Sequence, residues 1–404
     1  MKILHFLGLG QLPKRPLVDT TGGIERVALE IARIQSRRGA DVTVAVMASA
    51  PWNGSWEGVK LRHLQPYPWA RVSFRGRTRD FRSHLRLAQF VRFGRFDLVH
   101  LHEYRRTRFI EKPPKVIHFH NDPFDHVPEG SPDRAAIHFW YEISKARAQV
   151  GVSAFVGRRL RHLHDRAGEM APKAYICVNQ SGVSADTLPD YERRAARDRK
   201  RQELGLKETD VLFMFAGAVR SEKGVVQLSK AFLKLMADHD NAYLAVAGGK
   251  RLWIDADEPT ETAELQVRGM LADAVAKGRA NILGIVSSED LPSYYAAADV
   301  FVLPSMFQEC FGLVILEAFA AGVPVIGAKS GGIPELVQHE HNGLLVDQGD
   351  IEGLTQAMGR LLHDRELRNR LGAAGRLTAL SMSWENTVDR MESIYRTVLS
   401  EVQQ

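Results

Sequence analysis

The chain has 404 residues, 45% of them hydrophobic and 25% charged, and a formal net charge of +6. That apolar share excludes a disordered or fibrous protein, and the length favours two domains of about 200 residues each. Two cysteines, Cys177 and Cys310, are too few and too far apart for a disulfide framework; they point to a reducing compartment, with the cytoplasm as the expected location.

The chain opens on MKILHFLGLG. Gly8 and Gly10 interrupt the apolar run and no small-residue cleavage site follows, so Lys2 to Leu7 is expected to be a first strand rather than a signal sequence. No later uncharged stretch is long enough to span a bilayer. A loop through Asp19 and Thr20 then reaches TGGIERV, where Gly22 and Gly23 either admit a ligand to the backbone at a helix start or make a tight helix entry. Val42 to Val46 reads as the next strand. From Arg71 to Arg108 there are eleven arginines against Asp80, Asp97 and Glu103. Such a face either attracts anionic lipid headgroups or an acidic acceptor, or is the solvated face of a helix. No interleaved aromatics, zinc spacing or RNA-binding signature accompanies it, which argues against nucleic acid.

Leu98 to Leu101, Val116 to Phe119 and Ala148 to Val152 continue the strand pattern. The segment KVIHFHND ends the second of these, and alternation puts His118 and His120 on one face with His120 nearest the strand end. Two histidines at i and i+2 make a poor zinc site without a third ligand nearby. A histidine bonded to a substrate hydroxyl, or one bonded to a neighbouring loop, fits better, and no metal site is expected. A charged stretch from Tyr191 to Lys207, preceded by SGVSADTLPD, is expected to link two halves.

The second half repeats the alternation with strands at Val211 to Ala216, Tyr243 to Ala247, Asn281 to Leu283, Val300 to Leu303 and Val323 to Ile326. In FAGAVRSEKGV a strand ends at Gly217 and a helix begins near Lys223. Arg220 and Lys223 would there neutralise a diphosphate, although the turn lacks the P-loop spacing. Both could instead be solvated, but positive charge at a helix start opposes the dipole unless an anion is near. Between Pro304 and Gly332 the chain reads PSMFQECFGLVILEAFAAGVPVIGAKSGG. Glu309 and Glu317 would accept bonds from the hydroxyls of a sugar or ribose, and the free amides of Phe311, Gly312 and Leu313 would face a phosphate. Finally, Trp384, Val388, Met391, Ile394, Tyr395 and Val398 recur at helical spacing, so the tail forms an amphipathic helix that needs an apolar surface.

Strands alternating with helices throughout predict an α/β protein of two doubly wound, parallel-sheet domains of Rossmann type. From Val211 to Asp350 the motifs GIVSSEDL, AAADVFVLPS, the E-x7-E segment, GVPVIGAKSGGIPELV and NGLLVDQGD resemble the retaining glycosyltransferases of family 4, which have the GT-B architecture of two such domains facing a central cleft. The N-terminal half matches more loosely, through GGIERV, the strand-end histidine and VGVS before a helix. The resemblance implies an N-terminal acceptor domain over residues 1–185, a nucleotide-sugar domain over 186–380, and a final helix over 381–404 that crosses back to the first domain.

It also implies roles. Glu309 would bond the donor sugar, the amides after it the distal phosphate, and Glu317 the ribose, while Lys223 matches the family's phosphate lysine. The turn at Ile285 and Val286 would border the base, Gly22 and Gly23 would line the cleft from the other side, and His120 would lie close to the transferred sugar. The family usually has an arginine directly after the strand-end glycine; here Ala218 holds that place, and Arg220 stands two residues on. Cys310 replaces a common glycine beside the sugar pocket. The expected reaction moves a hexosyl group from a nucleoside-diphosphate sugar, UDP-linked in preference to GDP-mannose, to a hydroxyl of a glycan, lipid-linked or small-molecule acceptor. Retention by front-face attack is expected, with no metal or other cofactor. No Asp-x-Asp is placed to bind a diphosphate-bridging metal; Asp255-Ala256-Asp257 reads as a polar loop. Contact with anionic lipid at the inner membrane face is an expected addition. The competing readings are a GT-B phosphorylase or sugar-nucleotide epimerase, and a non-catalytic polyanion binder.

Overall fold

A computed structural model describes residues 1–9, 12, 22–67, 71–74, 77–80, 82–103, 107, 109–125, 143, 146–168, 174–184, 190–249 and 260–403. The loop through Asp19 and Thr20, the arginines 75, 105, 106 and 108, and Asp255-Ala256-Asp257 lie outside these residues. The chain divides into two compact units, one formed by Met1–Ser181 with Trp384–Gln404 and the other by Gly182–Ser383.

In the first unit, β1 (Lys2–Leu9), α1 (Gly23–Arg37), β2 (Asp41–Met47), β3 (Trp52–Trp56), β4 (Val59–Leu64), β5 (Arg71–Phe74), β6 (Arg77–Asp80), α2 (Arg82–Gly94), β7 (Leu98–Leu101), β8 (Lys115–Phe119), β9 (Ala146–Gly151), α3 (Ala154–Ala167) and β10 (Tyr175–Val178) follow in order. Eight strands form one sheet in the order β10-β9-β8-β7-β1-β2-β4-β3, while β5 and β6 pair as a separate ribbon. All neighbours in the large sheet are parallel except β3 and β4, a hairpin closed by Glu57 and Gly58 with φ of 46° and 82°. Positive φ at both central residues is what a two-residue hairpin turn demands. From Val42 on, β2 is buried on both faces, and β7 and β8 are buried throughout, as parallel strands between helices are. On one face Ala28, Leu29 and Ala32 of α1 pack on Val42, Val44, Val46, Val59 and Leu61.

The second unit contains α4 (Asp190–Glu203), β11 (Val211–Ala216), α5 (Val225–Asp238), β12 (Ala242–Ala247), α6 (Thr260–Ala276), β13 (Ala280–Gly284), α7 (Leu291–Ala297), β14 (Val300–Leu303), α8 (Leu313–Ala320), β15 (Val325–Ala328), α9 (Ile333–Leu336), β16 (Gly343–Val346), α10 (Ile351–His363) and α11 (Arg365–Ser381). Its six strands are all parallel, in the order β13-β12-β11-β14-β15-β16. That is the doubly wound order, whose direction reverses between β11 and β14; in the first unit the reversal falls between β1 and β7. Phe213, Phe215, Phe232, Phe301 and Phe319 are fully buried in this unit.

The last helix, α12 (Trp384–Gln403), belongs to the first unit. Met391, Ile394, Tyr395 and Val398 pack on Ile3, Leu98, Val116, Ala148 and Val150, so the apolar stripe covers strands from β1 to β9. Trp384 is 2% exposed.

Two expectations need correction. The charged stretch from Tyr191 is not a linker but helix α4 of the second unit. Arg197 donates to the carbonyls of Ala296, Ala297 and Ala298 at the end of α7 and pairs with Asp299, which Arg201 also engages at 2.8 Å. Its arginines thus supply donors that a helix C-terminus lacks. The strand expected at Val323 to Ile326 runs two residues later, because Val323 and Pro324 complete the turn after α8. Among the described residues no helix is long and apolar enough to cross a membrane.

Candidate active site

In the second unit the strand ends at the reversal point converge on one group of side chains. β11 runs out at Gly217 and Ala218, and Gly248 after β12 approaches so closely that a Cβ there would lie 1.7 Å from the Gly217 carbonyl oxygen. A short 3-10 turn, Ser221–Lys223, follows β11 and is closed by Gly224 at φ 75°. A Cβ on Gly224 would lie 1.8 Å from the carbonyl oxygen of Pro304, so glycine is what lets this turn press against the end of β14.

That approach joins two residues 86 apart in sequence: Lys223 Nζ donates to Glu309 Oε2 at 2.8 Å. Their side chains are 21% and 12% exposed, so the pair is reachable but partly desolvated. Ser305 Oγ lies 3.4 Å from the same carboxylate oxygen, and Lys223 Nζ stands 4.6 Å from the centre of the Phe307 ring. Gly312 adopts φ 96° and opens α8 without a side-chain cap. Its first amides have no partner within the helix, leaving a concentration of donors at the helix start that follows Glu309. Glu317, on α8, accepts from the Tyr295 hydroxyl at 2.8 Å. Arg220 does not join Lys223; it pairs with Glu222 at 2.6 Å.

The loop that carries Glu309 is held from below. Gln348 donates to the carbonyls of Ser305 and Phe307 and to Ser330, which in turn donates to Phe307. The amides of Gly331 and Gly332 bond Gln308 Oε1 and the Glu309 carbonyl, and a Cβ at Gly331 would lie 2.1 Å from that carbonyl. Tyr295, Ser330 and Gln348 did not stand out in the sequence, because Tyr295 reaches Glu317 from α7 while Ser330 and Gln348 follow β15 and β16. Val286 follows β13 half-buried, and Ile285 beside it is 52% exposed against Gly249. Cys310 is buried.

In the first unit Gly22 precedes α1 in extended conformation, and the Glu25 side chain folds back over it. The carboxylate occupies the space above the glycine, as the tight helix entry required. His120, at the end of β8, is one member of a row. Parallel register sets His5 beside His100, and H-x-H pairs at the ends of β7 and β8 add His102, His118 and His120. Burial lowers all five, His5 to about 4, His120 to about 3, and His100, His102 and His118 well below the ordinary histidine range, so the row is neutral. The Tyr395 hydroxyl on α12 bonds His100 Nδ1 at 2.6 Å. Sequence reading found the second H-x-H and missed the first, LVHLHE, although the repetition of the pattern on consecutive strands was its signal.

Chemically, the second unit offers a cation and helix-start amides for an anion, with carboxylates for hydroxyls immediately beside them. The family described as "Glycosyl transferases group 1" matches residues 196–378, and that described as "Glycosyltransferase Family 4" matches residues 21–170. The chain is 25% identical over 415 residues to a D-inositol 3-phosphate glycosyltransferase of Nocardioides sp., with 96% of this chain and 88% of that protein covered. It is 35% identical over 217 residues, 52% of each protein, to a GDP-mannose-dependent alpha-(1-6)-phosphatidylinositol monomannoside mannosyltransferase of Mycobacterium tuberculosis. Among solved structures, a sucrose-phosphate synthase from Thermosynechococcus elongatus superposes with a TM-score of 0.77 at 19% identity, covering 99% of this chain and 100% of that one.

Proposed function

This chain belongs to glycosyltransferase family 4 and is a glycosyltransferase of GT-B fold using a nucleotide-sugar donor; on that premise we propose that it moves a hexosyl group from UDP- or GDP-hexose to an acceptor hydroxyl with retention, by front-face substitution. The observation that carries the reading is the Lys223–Glu309 pair at the reversal point of the second sheet, beside the uncapped start of α8.

Departure of a nucleoside diphosphate leaves negative charge on its outer phosphate and positive charge on the sugar ring. We assign Lys223 and the amides of Phe311, Gly312 and Leu313 to that phosphate, Glu309 to the hexose hydroxyls and Glu317 to the ribose, with Val286 bordering the base. Arg220 adds charge near Lys223, neutralised in part by Glu222. With cation and amides already supplied by the chain, a metal is dispensable, so turnover should survive exhaustive chelation. Neither carboxylate is a free nucleophile: Glu309 is engaged by Lys223 and Glu317 by Tyr295. This supports a route in which the leaving phosphate oxygen takes the acceptor's proton. His120 we assign to a hydroxyl of the transferred hexose. The names of the two relatives favour an inositol-containing acceptor, free or lipid-linked. The arginines between Arg71 and Arg108 favour anionic lipid at the inner face of the membrane, which co-sedimentation with anionic vesicles would test.

The direct test compares the whole chain with Glu309→Ala. Wild type should consume one of the UDP- or GDP-hexoses with an inositol acceptor and give a product of unchanged anomeric configuration by NMR. The variant should bind the bare nucleotide and transfer nothing. Normal turnover by Glu309→Ala would refute the assignment.

A further inference from the structure

The buried histidines of the first unit form a bonded chain that starts from an amide. Gln35, fully buried on α1, places Oε1 2.8 Å from His5 Nε2. His5 Nδ1 lies 3.0 Å from His102 Nε2, and His102 Nδ1 lies 2.9 Å from His120 Nε2. The rings of His102 and His120 are within 15° of parallel with centroids 5.2 Å apart; those of His5 and His102 are within 26° at 5.4 Å. At these N···N distances such separations put the facing nitrogens close to the line joining the ring centres, which is the geometry of in-plane hydrogen bonds.

The same geometry argues against a metal. Ring nitrogens of His102, His118 and His120 come within 4.8 Å of one another, as do those of His5, His100 and His102, where His5 Nδ1 and His102 Nε2 also meet at 3.0 Å. A bound zinc, however, would need each lone pair aimed at a shared point about 2.0 Å away. Two nitrogens meeting head-on across 2.9 Å leave no such point between them.

The direction of the bonds follows from the far end. A carbonyl oxygen only accepts, and a neutral imidazole has one donor and one acceptor. His5 therefore carries its proton on Nε2 and accepts at Nδ1 from His102, which in turn accepts at Nδ1 from His120. With Oε1 on His5, the Gln35 amide turns its Nε2 toward the Tyr395 hydroxyl, and Nε2 makes no full hydrogen bond.

We propose that Gln35, His5 and His102 are positioning residues that lock His120 as its Nε2–H tautomer, so that Nδ1 is a bare acceptor for a hydroxyl of the transferred hexose. No proton travels along the chain, because an amide is no base to receive one at its end. The inference deepens the role assigned to His120 and rests on that reading.

The test is 15N NMR of the whole, histidine-labelled protein at neutral pH, with kinetics on the same samples. Wild type should show His120 protonated at Nε2 and bare at Nδ1. Gln35→Met removes the terminal acceptor at similar length; His120 should then redistribute between tautomers. kcat should fall roughly 10- to 100-fold, as when an outer partner that orients an imidazole is lost, while nucleotide affinity, which belongs to the second unit, stays unchanged. Gln35→Glu, an acceptor when ionised, should restore the tautomer and most of kcat, and carries the test if the methionine variant does not fold. A proton on Nδ1 of wild-type His120 would overturn the proposal. So would an unaltered tautomer and kcat in Gln35→Met, or a stoichiometric transition metal retained by these imidazoles through chelation. If wild type turned over no nucleotide sugar, the role of His120 would fall, whereas the tautomer comparison would still decide whether Gln35 sets it.

Discussion

Lys223 and Glu309 illustrate how opposite charges share one site for two purposes. In the free protein each satisfies the other; with donor bound, the lysine would turn to phosphate and the carboxylate to hydroxyls. A hydrogen bond to a charged group contributes about 1.5–3 kcal/mol. Lys223→Ala should therefore weaken nucleoside-diphosphate binding roughly 10- to 100-fold by calorimetry; an unchanged Kd would remove the lysine from the phosphate site. These two residues and Glu317 stand out in the sequence because they sit in short motifs whose chemistry is local. The pairing of Lys223 with Glu309 does not, nor does the diversion of Arg220 to Glu222, since both depend on how strand ends meet. Gln35, His5 and His102 were invisible for the same reason. Each lies on a different element, and only sheet register and the packing of α1 bring them together.

Two glycines separate the demands of an element from those of the site. Gly58 sits in the hairpin turn at φ 82°, and a Cβ there would meet the flexible end of Ser36 at 2.6 Å. Gly58→Ala should cost about 1–2 kcal/mol, the strain of a left-handed residue, and spare nucleotide binding. Gly224→Ala would drive a Cβ into the Pro304 carbonyl, which is backbone and cannot swing aside. It should destabilise the second unit more in urea and also weaken nucleotide binding by displacing Lys223. Equal effects from the two substitutions would contradict the role given to the turn. Apolar strands such as β7, β11 and β14 were legible to the residue, because burial on both faces leaves a continuous run. β3 and β4 were missed because tryptophan, asparagine, lysine and arginine break that run in a hairpin at the sheet edge. Helix α4 was misread because its arginines are directed at the end of α7, and a charged helix resembles a linker until its acceptors are known.

Across the whole molecule, the two units differ in what acid does to them. The histidines of the first unit are neutral when folded but take up protons below about 6.5 when unfolded. The unfolded state then binds more protons, so stability present above that pH is lost as pH falls toward the folded values of about 4 for His5 and about 3 for His120. Trp52, Trp56 and Trp384 belong to the first unit and report on its unfolding. Denaturant unfolding followed by tryptophan fluorescence should thus shift to lower midpoints between pH 6.5 and 4, and a flat profile would mean the row is charged or exposed. In the other unit the proposed donor site lies at the reversal point of a parallel sheet. Calorimetric titration of the whole chain with UDP and with GDP tests that site without knowledge of the acceptor. Saturable, one-to-one binding of one of the two is expected, lost or much weakened in Lys223→Ala. Binding of neither nucleotide, or equal binding by wild type and Lys223→Ala, would contradict it.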